Sequence, residues 1–174
     1  MFQVKISEVV YRGKLFEVEH VILTRSGLEV VREVVRHPGA VAIVAFVDTE
    51  KIVMVEQFRY PVSKNLLEIP AGTLEDETPE NCAARELEEE TGYMAKKLTK
   101  IAEFYLAPGY STELMHVFIA EELEKTTANP EQDEDIKVIH VPFVEAVEMI
   151  REGRILDSKT IASLLLVEKF YRRR

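Results

Sequence analysis

Hydrophobic and polar residues alternate through residues 2–11 (FQVKISEVVY) and 14–24 (KLFEVEHVILT), the two-residue period of half-buried strands. Both stretches are rich in β-branched side chains, and Arg12-Gly13 between them predicts a hairpin. Residues 28–36 (LEVVREVVR), after Ser26-Gly27, predict a third strand, although their spacing also allows a short helix. In His37-Pro38-Gly39 the proline favours an extended His37, which therefore reads as a turn residue. Residues 41–47 form an unbroken apolar run bounded by Asp48-Thr49-Glu50, and residues 52–57 answer it as a hairpin partner. An unbroken run implies burial on both faces, hence helices on both sides of a sheet and a layered α/β/α domain.

Residues 66–69 predict a short strand leading into Pro70-Ala71-Gly72, and residues 97–106 and 114–121 predict two more. Ala107-Pro108-Gly109-Tyr110-Ser111 between the last two is, by itself, a Pro-Gly turn. Residues 122–135 (ELEKTTANPEQDED) are polar and acidic and predict a loop. Residues 142–151 predict a helix with Phe143, Val147 and Ile150 on one face, stopped by Gly153. Residues 158–171 predict another, with Ser158 as cap and Ile161, Leu164, Leu165 and Phe170 inward. Arginines 172–174 complement its negative end. His116 and His140 fall on strand patterns and read as packing or surface residues.

The stretch 72–93 (GTLEDETPENCAARELEEETGY) breaks both periods. It carries eight acidic residues between positions 75 and 90 against one base, Arg85. Thr78 is free to cap a helix that begins at Pro79, Ala83, Ala84 and Leu87 give it an apolar stripe, and Gly92 stands where a left-handed C-cap belongs. On such a helix Glu86, Glu89 and Glu90 share one face. Like charges at that spacing cost about 0.2–0.5 kcal/mol per pair, and a bound cation removes the cost. Oxygen donors without a neighbouring His suit a hard ion, Mg²⁺ or Mn²⁺, which typically bridges to substrate phosphates. The alternative is a solvated acidic face.

Composition narrows the field. A chain of 174 residues, 47% hydrophobic, holds one domain with a substantial core. Its net charge of −9 argues against nucleic acid or an anionic membrane as partner. No apolar run is long enough to span a bilayer, and MFQVKISEVV lacks the basic and apolar regions of a signal peptide. With a single cysteine, Cys82, no internal disulfide is possible, so a cytoplasmic location is expected. Cys82, beside Ala83, reads as a small helix residue rather than a nucleophile.

The run Arg85-Glu86-Leu87-Glu88-Glu89-Glu90-Thr91-Gly92-Tyr93 resembles the second half of the Nudix box, G-x5-E-x7-R-E-U-x-E-E-x-G-U, where U is apolar. With seven residues between it and Arg85 stands Glu77, the first box glutamate. From Gly72 to Glu77 the chain is one residue shorter than the pattern, which a single deletion in the loop explains. The resemblance covers residues 36–141. It implies an α/β fold, a Nudix-type α/β/α sandwich with a mixed sheet and an N-terminal β extension. Residues 1–36 would be that extension, packing across a homodimer, and 37–174 the hydrolase domain.

The resemblance also implies chemistry. Metal ligands would be Glu86, Glu89, Glu90 and the carbonyl of Ala71, with Mg²⁺ or Mn²⁺ bound. Arg85 would orient Glu77 or Glu89. The segment Glu56-Gln57-Phe58-Arg59 and a proline sixteen residues past Gly92, Pro108, resemble the ADP-ribose pyrophosphatase subgroup. Arg59, Arg36, Pro108 and Gly109 are then the substrate-binding candidates; without the resemblance, Arg59 is as readily a surface arginine. The subgroup draws a general base or further metal ligand from an acidic loop, here Glu134 or Glu131, then Asp133, with Gln132 able to assist. The implied reaction is hydrolysis of ADP-ribose to AMP and ribose 5-phosphate. The same chemistry on GDP-mannose or ADP-glucose, and a non-catalytic nucleotide-sugar sensor, are the alternatives.

Overall fold

The computed structural model describes residues 1–129 and 135–171. Its contacts divide the chain into two compact units, Met1–Gly39 with Phe104–Met115, and Ala40–Glu103 with His116–Arg174.

In the first unit β1 (Gln3–Arg12), β2 (Glu17–Arg25) and β3 (Leu28–Arg36) form an antiparallel sheet in the order β1-β2-β3. The β1–β2 hairpin is closed by the Gly13 N–H on the Phe16 carbonyl at 3.0 Å. Between β2 and β3 the two turn residues both adopt positive φ, 50° at Ser26 and 82° at Gly27. That geometry matches strand twist, so residues 28–36 continue as a strand rather than a helix. The 107–111 turn joins this unit through β3: Val35 donates to the Tyr110 carbonyl at 2.8 Å and Thr112 to the Val35 carbonyl at 3.0 Å. Every residue of β1 is exposed, apolar ones included.

The second unit is built on a sheet ordered β10-β5-β4-β9-β8, with β6 added to β5 and β7 to β4. In chain order these are β4 (Ala40–Phe46), β5 (Lys51–Arg59), β6 (Lys64–Glu68), β7 (Ala71–Thr73), β8 (Tyr93–Tyr105), β9 (Leu114–Lys125) and β10 (Ile136–Pro142). The helices are α1 (Pro79–Thr91), α2 (Phe143–Arg151) and α3 (Ser158–Leu166). Residues 41–45 are fully buried. Val41, Ile43, Ala45 and Val53 pack against Cys82, Ala83 and Leu87 of α1. Ala42, Val44, Ile52 and Met54 therefore face the other way, where α3 lies on β4 and α2 on β10. This is the layered α/β/α arrangement expected from the unbroken apolar run.

Several local expectations are corrected. Ala84 is exposed and Cys82 takes its place in the α1 stripe. On α2 the buried residues are Phe143, Ala146 and Met149, with Val147 and Ile150 only half-buried. The ring contact of Phe143 with Phe46, centroids 5.6 Å apart, sets that rotation. The cap of α3 is Asp157, which accepts from the Thr160 N–H at 2.9 Å, and not Ser158. Regular helix stops at Leu166 and a π-helical turn, Val167–Tyr171, follows. Val167 of that turn is buried while its Phe170 is 70% exposed, and Leu165, on α3 itself, is 42% exposed; neither points inward as expected.

β9 runs on to Lys125, four residues into the expected loop, supported by ion pairs Lys97–Glu121 and Lys96–Glu124 at 2.5 and 2.6 Å. No described helix is long and apolar enough to cross a membrane. Arginines 172–174 and the acids Glu131, Asp133 and Glu134, with Gln132, lie outside the described residues.

Candidate active site

Helix α1 begins and ends as its sequence dictates. The Thr78 hydroxyl accepts from the Asn81 N–H at 3.3 Å and Pro79 opens the first turn. Gly92 closes the helix at φ 69°, its N–H on the Glu88 carbonyl at 2.8 Å. A Cβ at Gly92 would come within 2.9 Å of the Ala128 nitrogen, because residues 126–129 lie across this end of the helix. Thr126 donates to the Gly92 carbonyl at 2.8 Å and Asn129 to the Glu89 carbonyl at 3.0 Å. Two backbone oxygens at the end of α1 are thereby satisfied, and the acidic segment is rooted beside the last turn of the helix.

Arg85 is the pivot of the acidic face. Its Nε and Nη2 reach Glu77 at 3.0 and 2.7 Å, and Nη1 reaches Glu89 at 2.8 Å. Glu86 lies 2.9 Å from the same Nη1. The shortened loop therefore still returns Glu77 to the helix. Burial works against the guanidinium charge, but Glu77, Glu89 and Glu86 outweigh it and raise the Arg85 pKa.

The remaining carboxylates are seated by the β7 strand. Glu90 is 4% exposed and accepts from the Ala71 N–H at 3.1 Å. Glu86 lies so close over Gly72 that any side chain there would overlap its carboxyl group. Only glycine permits this approach.

A hard divalent cation fits the donor chemistry of this corner, which offers carboxylate oxygens and the Ala71 backbone and places glycine where Glu86 passes. In the arrangement described, Glu86 and Glu89 are held by Arg85, and no three Asp, Glu, His or Cys side chains converge on a shared centre among the described residues.

Beside the box, Arg59 at the end of β5 forks onto Glu68, Nε and Nη2 each 2.8 Å from a carboxylate oxygen. Within the chain the guanidinium thus takes a carboxylate as its partner. Lys159 donates to the same carboxylate and sits 3.1 Å from Asp157. Burial pushes the Glu68 pKa up, but Arg59 and Lys159 overcome it and hold the group at about 2. Glu68, Asp157 and Lys159 were not singled out from the sequence. The available signal was a charged residue inside the apolar run of residues 66–69.

Arg36, Pro108 and Gly109 all belong to the first unit. Arg36 donates to Glu19 at 2.8 Å and borders a cavity of about 440 Å³ with Phe16, His37 and Thr112. His37 keeps to its turn, accepting from the Gly39 N–H at 3.1 Å, and His140 bonds the Tyr93 hydroxyl at 3.0 Å. Cys82 is fully buried; burial first, then Glu86 and Glu77, push its thiol up to about 12, which makes it inert as a nucleophile.

Comparison with known proteins agrees with this geometry. The NUDIX domain matches residues 36–164. An ADP-ribose pyrophosphatase of Bacillus subtilis (strain 168) is 48% identical over 158 residues, 88% of this chain and 85% of that protein. A methanol dehydrogenase activator of Bacillus methanolicus is 46% identical over 136 residues, covering 76% of this chain and 74% of its own length. A GDP-mannose pyrophosphatase of Cronobacter sakazakii (strain ATCC BAA-894) is 41% identical over 155 residues, 82% of this chain and 81% of that protein. A crystal structure of an ADP compounds hydrolase superposes with a TM-score of 0.86 over 97% of this chain and 93% of its own, at 24% identity, a likeness of fold. With its helix, its glycine seat and its arginine pivot in place, the chain belongs to the Nudix hydrolase family.

Proposed function

We propose that this Nudix hydrolase cleaves the diphosphate of ADP-ribose, releasing AMP and ribose 5-phosphate, with Mg²⁺ as its ion. The observation that carries the reading is the seating of Glu86 and Glu90 against Gly72 and Ala71 at one corner of α1. The relative from Bacillus subtilis named ADP-ribose pyrophosphatase supports the substrate.

Glu86, Glu89 and Glu90, with the Ala71 carbonyl, would hold the ion, whose charge offsets that of the diphosphate and lowers the pKa of a bound water. Arg85 holds Glu77 and Glu89 in fixed rotamers, which reduces the reorganisation that binding demands. Arg59 supplies a second positive group near Glu90, and its partner Glu68 fixes its plane. Glu134 or Glu131 would take the proton of the attacking water. Arg36, Pro108 and Gly109 would contact the rest of the substrate.

The Cronobacter relative named GDP-mannose pyrophosphatase favours a second substrate for the same chemistry. The test is Mg²⁺-dependent hydrolysis of a panel of ADP-ribose, ADP-glucose, GDP-mannose, diadenosine polyphosphates and NADH, with products separated by chromatography. Rapid AMP release from ADP-ribose above the others is expected. A preference for GDP-mannose moves the substrate, and no turnover with Mg²⁺ or Mn²⁺ overturns the reading.

The exposed β1 strand, with Val4, Ile6, Val10 and Tyr11 each more than 45% exposed, pairs among the described residues with β2 alone, which leaves its outer edge without a strand partner there. A homodimer related by a two-fold axis would cover it. Light scattering at micromolar concentration should give twice the chain mass; a monodisperse monomer contradicts the dimer. A cytoplasmic location accords with the lone buried thiol.

A further inference from the structure

The first turn of α3 is tied to Glu68 and Ile69 by Asp157, Lys159 and Thr160, which have no part in the reaction described so far. Glu68 is 1% exposed and receives three donors: Arg59 Nε, Arg59 Nη2 and Lys159 Nζ. The next residue, Ile69, gives its N–H to the Thr160 hydroxyl at 3.0 Å, and that hydroxyl donates to Asp157 at 2.6 Å. One helical turn thus grips both the side chain of residue 68 and the backbone of residue 69. Two residues on is Ala71, whose N–H seats Glu90.

Taking a lone carboxylate this far from water is costly unless its lone pairs are filled. Arg59 alone fills two positions, and Lys159 fills a third, so the acid stays ionised and its plane is fixed. A fixed carboxylate in turn fixes the guanidinium that forks onto it. Glu68 is shared by Arg59 and Lys159, and Lys159 also faces Asp157 at 3.1 Å, so Glu68 occupies only one edge of the guanidinium. Among the described residues the Arg59 Nη1 makes no hydrogen bond, and the group is 37% exposed. The charge of Glu90 also acts on the Arg59 guanidinium, so the group lies within electrostatic reach of that carboxylate.

We propose that Lys159 is a positioning residue for the diphosphate: through Glu68 it holds the Arg59 guanidinium so that Nη1 meets a substrate phosphate. The proposal rests on the pyrophosphatase reading and assigns a role in substrate capture to α3. Removing Lys159 leaves Glu68 with one partner and lets the Arg59 fork tilt. Binding of substrate weakens, and the chemical step suffers less.

The experiment is a double-mutant cycle on the full-length chain with Lys159→Met, Lys159→Arg, Arg59→Ala and Arg59→Ala/Lys159→Met. Both ADP-ribose hydrolysis with Mg²⁺ and ADP-ribose binding by calorimetry without divalent metal are followed, and thermal melting reports folding. Lys159→Met should raise KM and weaken binding by about tenfold, at the low end of what loss of a supporting partner costs, with a smaller change in kcat. Lys159→Arg should restore most of the loss. In the Arg59→Ala background Lys159→Met should change neither quantity further, since interacting residues are not additive. Additive effects, an unchanged KM and affinity in Lys159→Met, or a wild type that does not bind ADP-ribose would overturn the proposal. A wild type that binds without hydrolysing would sink the pyrophosphatase reading instead, and the cycle is then decided on affinity alone.

Discussion

The carboxyl group of Glu86 occupies the space that a methyl group on Gly72 would fill. This one contact couples the loop before the helix to a candidate ligand on it. Gly72→Ala must displace Glu86, since the alternative is to move the β7 strand paired to β4 at Val41. A misplacement on the order of 1 Å at a reacting centre costs roughly 100-fold. We expect Gly72→Ala to lose about that much kcat/KM for ADP-ribose while the fold survives, as checked by kinetics beside thermal melting. Near-normal activity would show that the seat of Glu86 is not needed.

Glu90 is buried with its carboxylate on the Ala71 N–H. Glu90→Gln keeps an oxygen for that hydrogen bond and removes the charge. Turnover should fall at least about 100-fold with the melting temperature little changed, because the loss falls on ion binding rather than packing. Metal titration by calorimetry should show the weakened site directly. Retained turnover would remove Glu90 from the ligand set.

Gly92 is constrained twice, by its φ of 69° and by the Ala128 backbone 2.9 Å from where a Cβ would stand. Gly92→Ala meets a left-handed penalty of about 1–2 kcal/mol and the clash. Gly92→Asn tolerates the backbone angle better but meets the same clash. Denaturant unfolding should therefore rank glycine above asparagine above alanine. Both variants should lose activity alike, because either displaces the 126–129 segment bonded to the Glu89 and Gly92 carbonyls.

Glu68 gives the fold an acid-sensitive element. Its pKa is about 2 in the folded chain against an ordinary 4.5, so the unfolded chain binds the proton more readily. The associated stability is fully present above about 4.5 and is lost as pH falls from there towards 2. At about 1.4 kcal/mol for each pH unit of that gap, the contribution is at most about 3.5 kcal/mol. Denaturant titrations at pH 6 and pH 3 should show the loss in the wild type. Lys159→Met should blunt it, since one of the two cations that hold Glu68 ionised is gone.

What the sequence by itself determined were the features written in local chemistry. Thr78, Pro79 and Gly92 mark the ends of α1 because capping and left-handed geometry depend on the residues there. The run of residues 41–47 declared a strand covered on both faces, since no half-exposed strand lacks polar positions. Spacing along one helix put Glu86, Glu89 and Glu90 on neighbouring positions of α1, although their side chains share no common centre among the described residues.

Tertiary structure decided what periodicity leaves degenerate. The face of α2 is set by Phe46 against Phe143, and Leu165 on α3 and Phe170 in the following π turn both face outward. Neither is encoded in spacing alone. Glu68 and Lys159 stand ninety-one positions apart, and only the packing of α3 against the sheet makes them partners. The buried carboxylate needs two cations to remain charged, and that need is met by residues with no relation along the chain.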